Sequence, residues 1–228
     1  MPQSFRAAQA STRAIAGFGR RLLPVLPLLA IWALPAAAQE KIGVASAVNP
    51  DVTGAGPRGQ ARQIVIGQDV VYNEHIATAA AGQTQILFLD ESSLSVGPNS
   101  DITIDEFIYD PRTRVGKLVI SASRGVLRYI GGRISKNENG VTIRAPAATI
   151  GIRGGVVLLS IAPAGKTDVI AVHPERPTVV GQNGVVRKLA RDNDMVSVAG
   201  PDTTPSAPAP APTNLAAHLL SQTTIGGR

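Results

Sequence analysis

"TQILFLDESSLSVGPNSDITIDEFIYD", residues Thr84 to Asp110, decides the fold. An apolar run from Ile86 to Leu89 ends in the acidic pair Asp90-Glu91. Leu94 and Val96 then alternate with serines, Gly97-Pro98-Asn99 breaks the chain, and Ile102 and Ile104 alternate again. Side chains of a strand point to opposite faces with a period of two. Apolar residues at that spacing between turn-formers therefore describe half-buried strands and not a helix. Outward from this stretch the pattern persists. "QIVIGQDVVYN" (Gln63–Asn73) places Ile64, Ile66, Val70 and Tyr72 around Gly67, and "GKLVISASRGVLRYIGGRIS" (Gly116–Ser135) and "GVTIRAPAATIGIRGGVVLLSI" (Gly140–Ile161) continue in kind. Strands punctuated by turn residues roughly every 8–12 positions predict an all-β domain, built of stacked short strands or hairpins as a solenoid-like or twisted sandwich.

A spacing inside this region bears on the architecture. Gly125-Val126, Gly140-Val141 and Gly155-Val156 each open an apolar run, fifteen residues apart. Taken as a repeat, that period fits two short strands and two turns and favours stacked layers. Residues 39–62 are small and polar and read as an extended lead-in, and 63–199 as the β domain. Residues 200–228 begin Pro/Ala-rich and read as a disordered linker and short tail. In that tail Leu215, Leu219 and Leu220 follow Asn214, a candidate helix cap.

The first 38 residues carry a different signal. Arg6, Arg13, Arg20 and Arg21 precede an apolar stretch from Leu22 to Leu34, and Ala36-Ala37-Ala38 follows it. This is the three-part pattern of a secretory signal peptide cleaved between Ala38 and Gln39. Pro24 and Pro27 make the stretch too short and broken for a spanning helix; an uncleaved anchor is the alternative. The expected localisation is periplasmic or secreted. The whole chain carries 22 basic and 16 acidic residues. Four arginines leave with the signal, so the mature chain has a net charge of +2 and nucleic acid is not an expected partner. The chain has no cysteine, so an exported fold cannot rest on disulfides.

Catalytic and metal motifs fail one by one. Gly165-Lys166-Thr167 resembles the end of a P-loop, but Ser160 stands at the first glycine position and Pro163 interrupts the loop. His75, His173 and His218 are scattered without ligand spacing. Asp90, Glu91, Asp101, Asp105, Glu106 and Asp110 crowd together, yet they fall at turns and on solvated faces, where Asp bonds its own backbone. No Gly-x-Ser-x-Gly elbow is present. No enzyme activity, metal or cofactor is expected. Basic residues concentrate from Arg112 to Arg153 with Glu138 as the sole acid. Arg124, Arg128, Arg133 and Arg144 are the candidate partner-binding residues of this strip. Within "IRAPAATIGIRGG" (Ile143–Gly155), Pro146, Thr149, Gly151, Arg153 and Gly154 read as a structural corner: a strand bent or closely packed at Gly151 and turned at Gly154. Arg153 is expected to be buried against carbonyls or to hold a nearby acid.

Taken together, "FLDESSLSVGPNS", "GKLVISASRGVLRYIGGRISK" and "PAATIGIRGG" resemble the FecR domain over about Ile64 to Ile161, more weakly from "IGVASAVNP" to Val198. Gly155 replaces a common threonine and resembles the "PxATIGIRG" subgroup that continues as "GIRGG". Glu91 replaces a customary turn glycine and Ala145 a customary threonine. The resemblance implies an exported, non-catalytic β module used in protein contact and signalling. Iron-sensing members pair such a domain with a membrane helix and a cytoplasmic segment that controls a sigma factor. The expectation for this chain is a free periplasmic binding or regulatory module whose partner is another envelope protein. No stable membrane span remains after signal cleavage. Two alternatives stand beside it: an envelope-associated structural protein binding anionic glycan or lipid through the basic strip, and a membrane-anchored sigma-factor regulator if the signal is retained.

Overall fold

A computed structural model describes residues 40–226; the predicted signal peptide lies outside them. In chain order the strands are β1 (Lys41–Asn49), β2 (Val52–Ala55), β3 (Arg62–Gln63), β4 (Asp69–Val71), β5 (His75–Thr78), β6 (Gln83–Phe88), β7 (Ser93–Val96), β8 (Asp101–Asp110) and β9 (Val115–Ile130). After a short 3-10 turn at Ile134–Lys136 come β10 (Val141–Ala145), β11 (Ala148–Ile152), β12 (Val156–Ile161), β13 (Thr167–His173), β14 (Thr178–Gln182), β15 (Val185–Leu189), β16 (Asp194–Val198) and β17 (Ala209–Pro210). Helix α1 (Thr213–Thr223) follows.

These strands form two ladders that share one member. Sheet I runs β4-β1-β6-β7-β9-β12-β13-β16-β17 and sheet II runs β3-β2-β5-β8-β9-β10-β11-β14-β15. The first half of β9 pairs β8 and β10 in sheet II. Its second half, Gly125–Ile130, pairs β12 and β7 in sheet I. Every pairing is antiparallel except β9 with β10. The chain lays one or two strands on one sheet, crosses, and lays the next on the other. Stacked hairpins and a two-sheet sandwich thus describe the same all-β object.

The period-two pattern builds the core. In sheet II, Ile104, Ile120, Ile143, Ile150 and Val180 sit opposite one another across five neighbouring strands. In sheet I, Ile86, Leu94, Tyr129, Val157 and Ala171 do the same. All ten are fully buried and belong to a single apolar cluster between the sheets. Burying each large aliphatic side chain contributes about 1.5–3 kcal/mol.

Three readings of the sequence change. Residues 39–62 are not a lead-in: β1 lies between β4 and β6, and Ile42, Ala45 and Val52 are buried. Alternation of Val with Ala and Ser gives this strand too little apolar contrast to stand out. The fifteen-residue spacing is not a structural repeat, since its first interval holds one strand and the 3-10 turn and its second holds two strands. Each Gly-Val pair instead marks a crossing, into sheet I at Val126, sheet II at Val141 and sheet I again at Val156.

The Pro/Ala-rich tail is not disordered. β17 extends sheet I beside β16, and α1 lies on the outer face of that sheet. The reason is on that face, where Leu158 and Ile170 point away from the main core and need cover. Leu215, Ala216, Leu219 and Leu220 supply it along one helical stripe. At eleven residues α1 would be marginal alone in water, so docking is what makes it helical. Its N-cap position is Pro212, not Asn214, whose side chain accepts from the Leu215 N–H inside the first turn.

Candidate interaction surface

The "FLDESS" turn between β6 and β7 is built around a buried carboxylate. Asp90 Oδ1 accepts the Ser92 hydroxyl (2.5 Å) and N–H (3.2 Å), and Oδ2 accepts the Ile134 N–H (3.1 Å). The Asp90 carbonyl takes the Arg133 N–H at 2.8 Å. Glu91 adopts φ +68°, the left-handed conformation its glycine counterpart would take freely. Its carboxylate grips Arg133 at 2.9 and 3.2 Å, which holds the guanidinium firmly protonated. Gly132 passes under the turn so closely that a Cβ would lie 2.3 Å from the Ser92 nitrogen. The node therefore fastens the β6–β7 turn to the loop after β9.

Tyr129 is fully buried beside this node, and its hydroxyl has no hydrogen-bond partner among the described residues. Burial, then the charge of Asp90, pushes its ionisation far above the ordinary phenol value. The unfolded chain ionises this phenol near pH 10 and the folded protein resists, so the stability it holds below pH 10 is lost as pH rises beyond it. Tyr129→Phe is expected to flatten the alkaline limb of the stability profile. At pH 7 it should change stability by no more than about 1 kcal/mol, because the hydroxyl makes no well-formed bond among the described residues. Urea melts at pH 7 and above pH 10 measure both.

The stretch Ile143–Gly155 forms a hairpin. β10 pairs β11 with Ala145 opposite Ala148, and Pro146-Ala147 is the two-residue tip. Thr149 and Gly151 keep regular register with both β10 and β14. Gly151 is neither a bend nor a close approach, since an added Cβ would meet only Val179 Cβ at 3.9 Å. The turn falls at Gly154 and Gly155, with φ +86° and +82°, and a Cβ on Gly155 would sit 1.9 Å from the His173 carbonyl. Arg153 is partly exposed and donates to Glu138 at 3.0 Å.

The four arginines of the basic strip do not share a surface. Arg133 is occupied by Glu91. Arg144 lies beside Asp105 at 3.9 Å on the outer face of sheet II. Lys117, Lys136 and Arg153 are likewise paired, with Glu106, Glu175 and Glu138. Arg124 and Arg128 remain without a carboxylate among the described residues. Arg128 projects from sheet I toward the C-terminal end of α1, its Nη1 3.4 Å from Thr224 Oγ1. Arg124 lines a cleft of about 680 Å³ with Asn99, Ser160 and Gln222, at the same end of the helix. Alternation along strands scatters residues that are close in sequence, and the acids facing them come from distant strands.

The crowded acids serve as supports. Asp101 meets His75 at 3.0 Å, Asp105 accepts from Ser121, and Glu106 meets Lys117. Asp110 caps its turn through the Arg112 N–H, which lowers its carboxyl below the usual range. Among the described residues no three His, Asp or Glu side chains converge for a metal ion, and no helix is long and apolar enough to cross a membrane. The surface that sequence reading missed is the seat of α1. The signal for it was the helical spacing of Leu215, Leu219 and Thr223.

Residues 74–173 match the family described as FecR protein. A 2.50 Å crystal structure of a candidate anti-sigma factor from Parabacteroides distasonis superposes with TM-score 0.50 at 11% identity, over 64% of this chain and 63% of that one. A 1.65 Å crystal structure described in the same way, from the same organism, gives TM-score 0.49 at 11% identity over 64% of each chain. The chain thus spans under two thirds of the length of these structures, and the likeness to the first is one of fold. No curated protein gives a significant match.

Proposed function

We propose that this protein is a non-catalytic regulatory module of the bacterial envelope that acts by protein contact. One observation carries this reading: within the span that matches the FecR family, residues 74–173, the fully buried carboxylates Glu74 and Asp90 are both committed to structure, Glu74 to Arg62 and the Val71 N–H and Asp90 to Ser92 and the Ile134 N–H. The candidate anti-sigma factor of similar fold is consistent with a signalling role. The leader pattern of residues 1–38 supports export and residence in the periplasm. Pairing of most of the basic strip with carboxylates removes support from an anionic glycan or lipid as the partner.

The test is affinity capture from an envelope extract with the full-length exported protein as bait. N-terminal sequencing of the mature bait accompanies it. A chain starting at Gln39 that retains a defined protein partner at moderate salt is the expected result. Retention of an intact Met1 in the membrane fraction would replace the free module with an anchored one. Capture of glycan or lipid alone, lost at modest salt, would overturn protein contact.

A further inference from the structure

We propose that α1 is an intramolecular plug in a groove that accepts, from a partner, an amphipathic helix carrying an acidic residue near its C-terminal end. The groove is the outer face of sheet I, where Leu158, Ile170 and Met195 form the floor. A helix already seated there shows the shape of the occupant, as in other helix-in-groove interfaces. This rests on the contact-module reading and specifies its partner.

The plug matches the floor but not the charge. Leu215, Leu219 and Thr223 repeat every four residues and face the sheet, and Leu219 and Thr223 are buried. The helix contains neither acid nor base other than His218, and no side chain caps its start. Beneath its C-terminal end lies Arg128, whose Nε is buried with no hydrogen-bond partner among the described residues. Its Nη atoms reach only the hydroxyls of Thr224 and Ser95, at 3.4 and 3.5 Å, the outer limit of a bond. A guanidinium in such a place is best satisfied by a carboxylate, which takes two of its N–H groups in parallel. Arg124, four residues earlier on the same strand and also without a carboxylate, adds positive charge at this end. A helix placing Glu or Asp where α1 places Thr224 keeps the apolar fit and supplies the missing acceptor. α1 is only eleven residues long and is tethered to the sheet by a two-residue strand, so a better-matched helix can displace it.

The probe is a labelled peptide of residues 213–226 and its Thr224→Glu counterpart, titrated by fluorescence anisotropy. The full chain is used as wild type, as Leu219→Glu to unseat α1, and as Leu219→Glu with Arg128→Gln. The Glu peptide is expected to bind the Leu219→Glu chain at least about tenfold tighter than the parent peptide, the range of a charged hydrogen bond. That preference should disappear with Arg128→Gln, and wild type should bind both peptides about tenfold more weakly because its own helix competes. Equal affinity for the two peptides, or no binding, would overturn the proposal. So would a wild-type dimer in light scattering, which would make a second copy's α1 the occupant. Hydrogen exchange on the wild type is a check that needs no mutant. Amides of α1 should exchange at least about a hundredfold faster than those of β12 and β13, and equal rates would make α1 part of the global fold. If envelope capture succeeds equally well with wild type and Leu219→Glu, protein contact stands and the groove proposal falls.

Discussion

Gly125→Ala is expected to destabilise the protein by more than about 4 kcal/mol, beyond the usual range for single substitutions. Gly125 is the point at which β9 leaves sheet II for sheet I. Its φ is +113°, which L side chains rarely adopt, and an added Cβ would lie 2.0 Å from Ser100 Oγ and 2.4 Å from Ser100 Cα. Ser100 has nowhere to retreat. Its N–H is bonded to Thr78 Oγ1 at 2.8 Å, and its hydroxyl donates to the Gly97 carbonyl at 2.8 Å and accepts the Val126 N–H at 3.1 Å. Relief would require moving backbone in both sheets at once. Gly151→Ala is the control. It sits in a regular strand with open space around its Cα, so it should be neutral or stabilise by up to about 1 kcal/mol. Urea denaturation of the two variants side by side measures the difference, and a Gly125→Ala midpoint close to wild type would show that β9 can cross without this contact.

Asp90→Ala is expected to cost about 3–5 kcal/mol. The substitution removes no large apolar surface, so packing loss is small. The cost comes from three donors left buried without an acceptor, the Ser92 N–H and hydroxyl and the Ile134 N–H, at about 1–3 kcal/mol each, offset in part by relaxation and water. Asp90→Asn keeps one oxygen and should fall between alanine and wild type. Glu91→Gln, one residue away and 70% exposed at its side chain, should leave the midpoint nearly unmoved. A matching loss for Asp90 and Glu91 variants would mean that the surface pair with Arg133, and not the buried node, secures the turn.

The strands of the core were legible because the sheets bury one face each. Ile102, Ile104, Ile143 and Ile150 are flanked by polar or small residues, and period-two contrast is what a half-buried strand requires. β1 escaped because Gly43, Ala45 and Ala47 blur that contrast. α1 escaped because a short, uncapped, Ala-rich stretch after prolines resembles an unstructured tail. Only the apolar outer face of sheet I, absent from local sequence, explains why it folds. Turn conformation was partly legible: five asparagines take positive φ, as their short polar side chains allow, while Glu91 and Arg114 do so against their own preference. The interaction surface was least legible. Charge density along the chain suggested one basic strip, but the carboxylates that neutralise most of it lie far away in sequence, and which arginines stay unmatched depends on that pairing.

Alternate deposition of strands on two faces has a consequence for how such molecules vary. The shared strand β9 lies in the interior of both ladders, and the chain leaves it in two directions, toward β3 and β4 on one side and toward β15 and β17 on the other. Each further hairpin adds a rung at an end without disturbing the crossing at Gly125. Such a stack has no intrinsic length. What limits growth is whatever closes the last edge. Here, on one of the two sheets, a two-residue strand closes that edge and leads directly into the helix on its outer face.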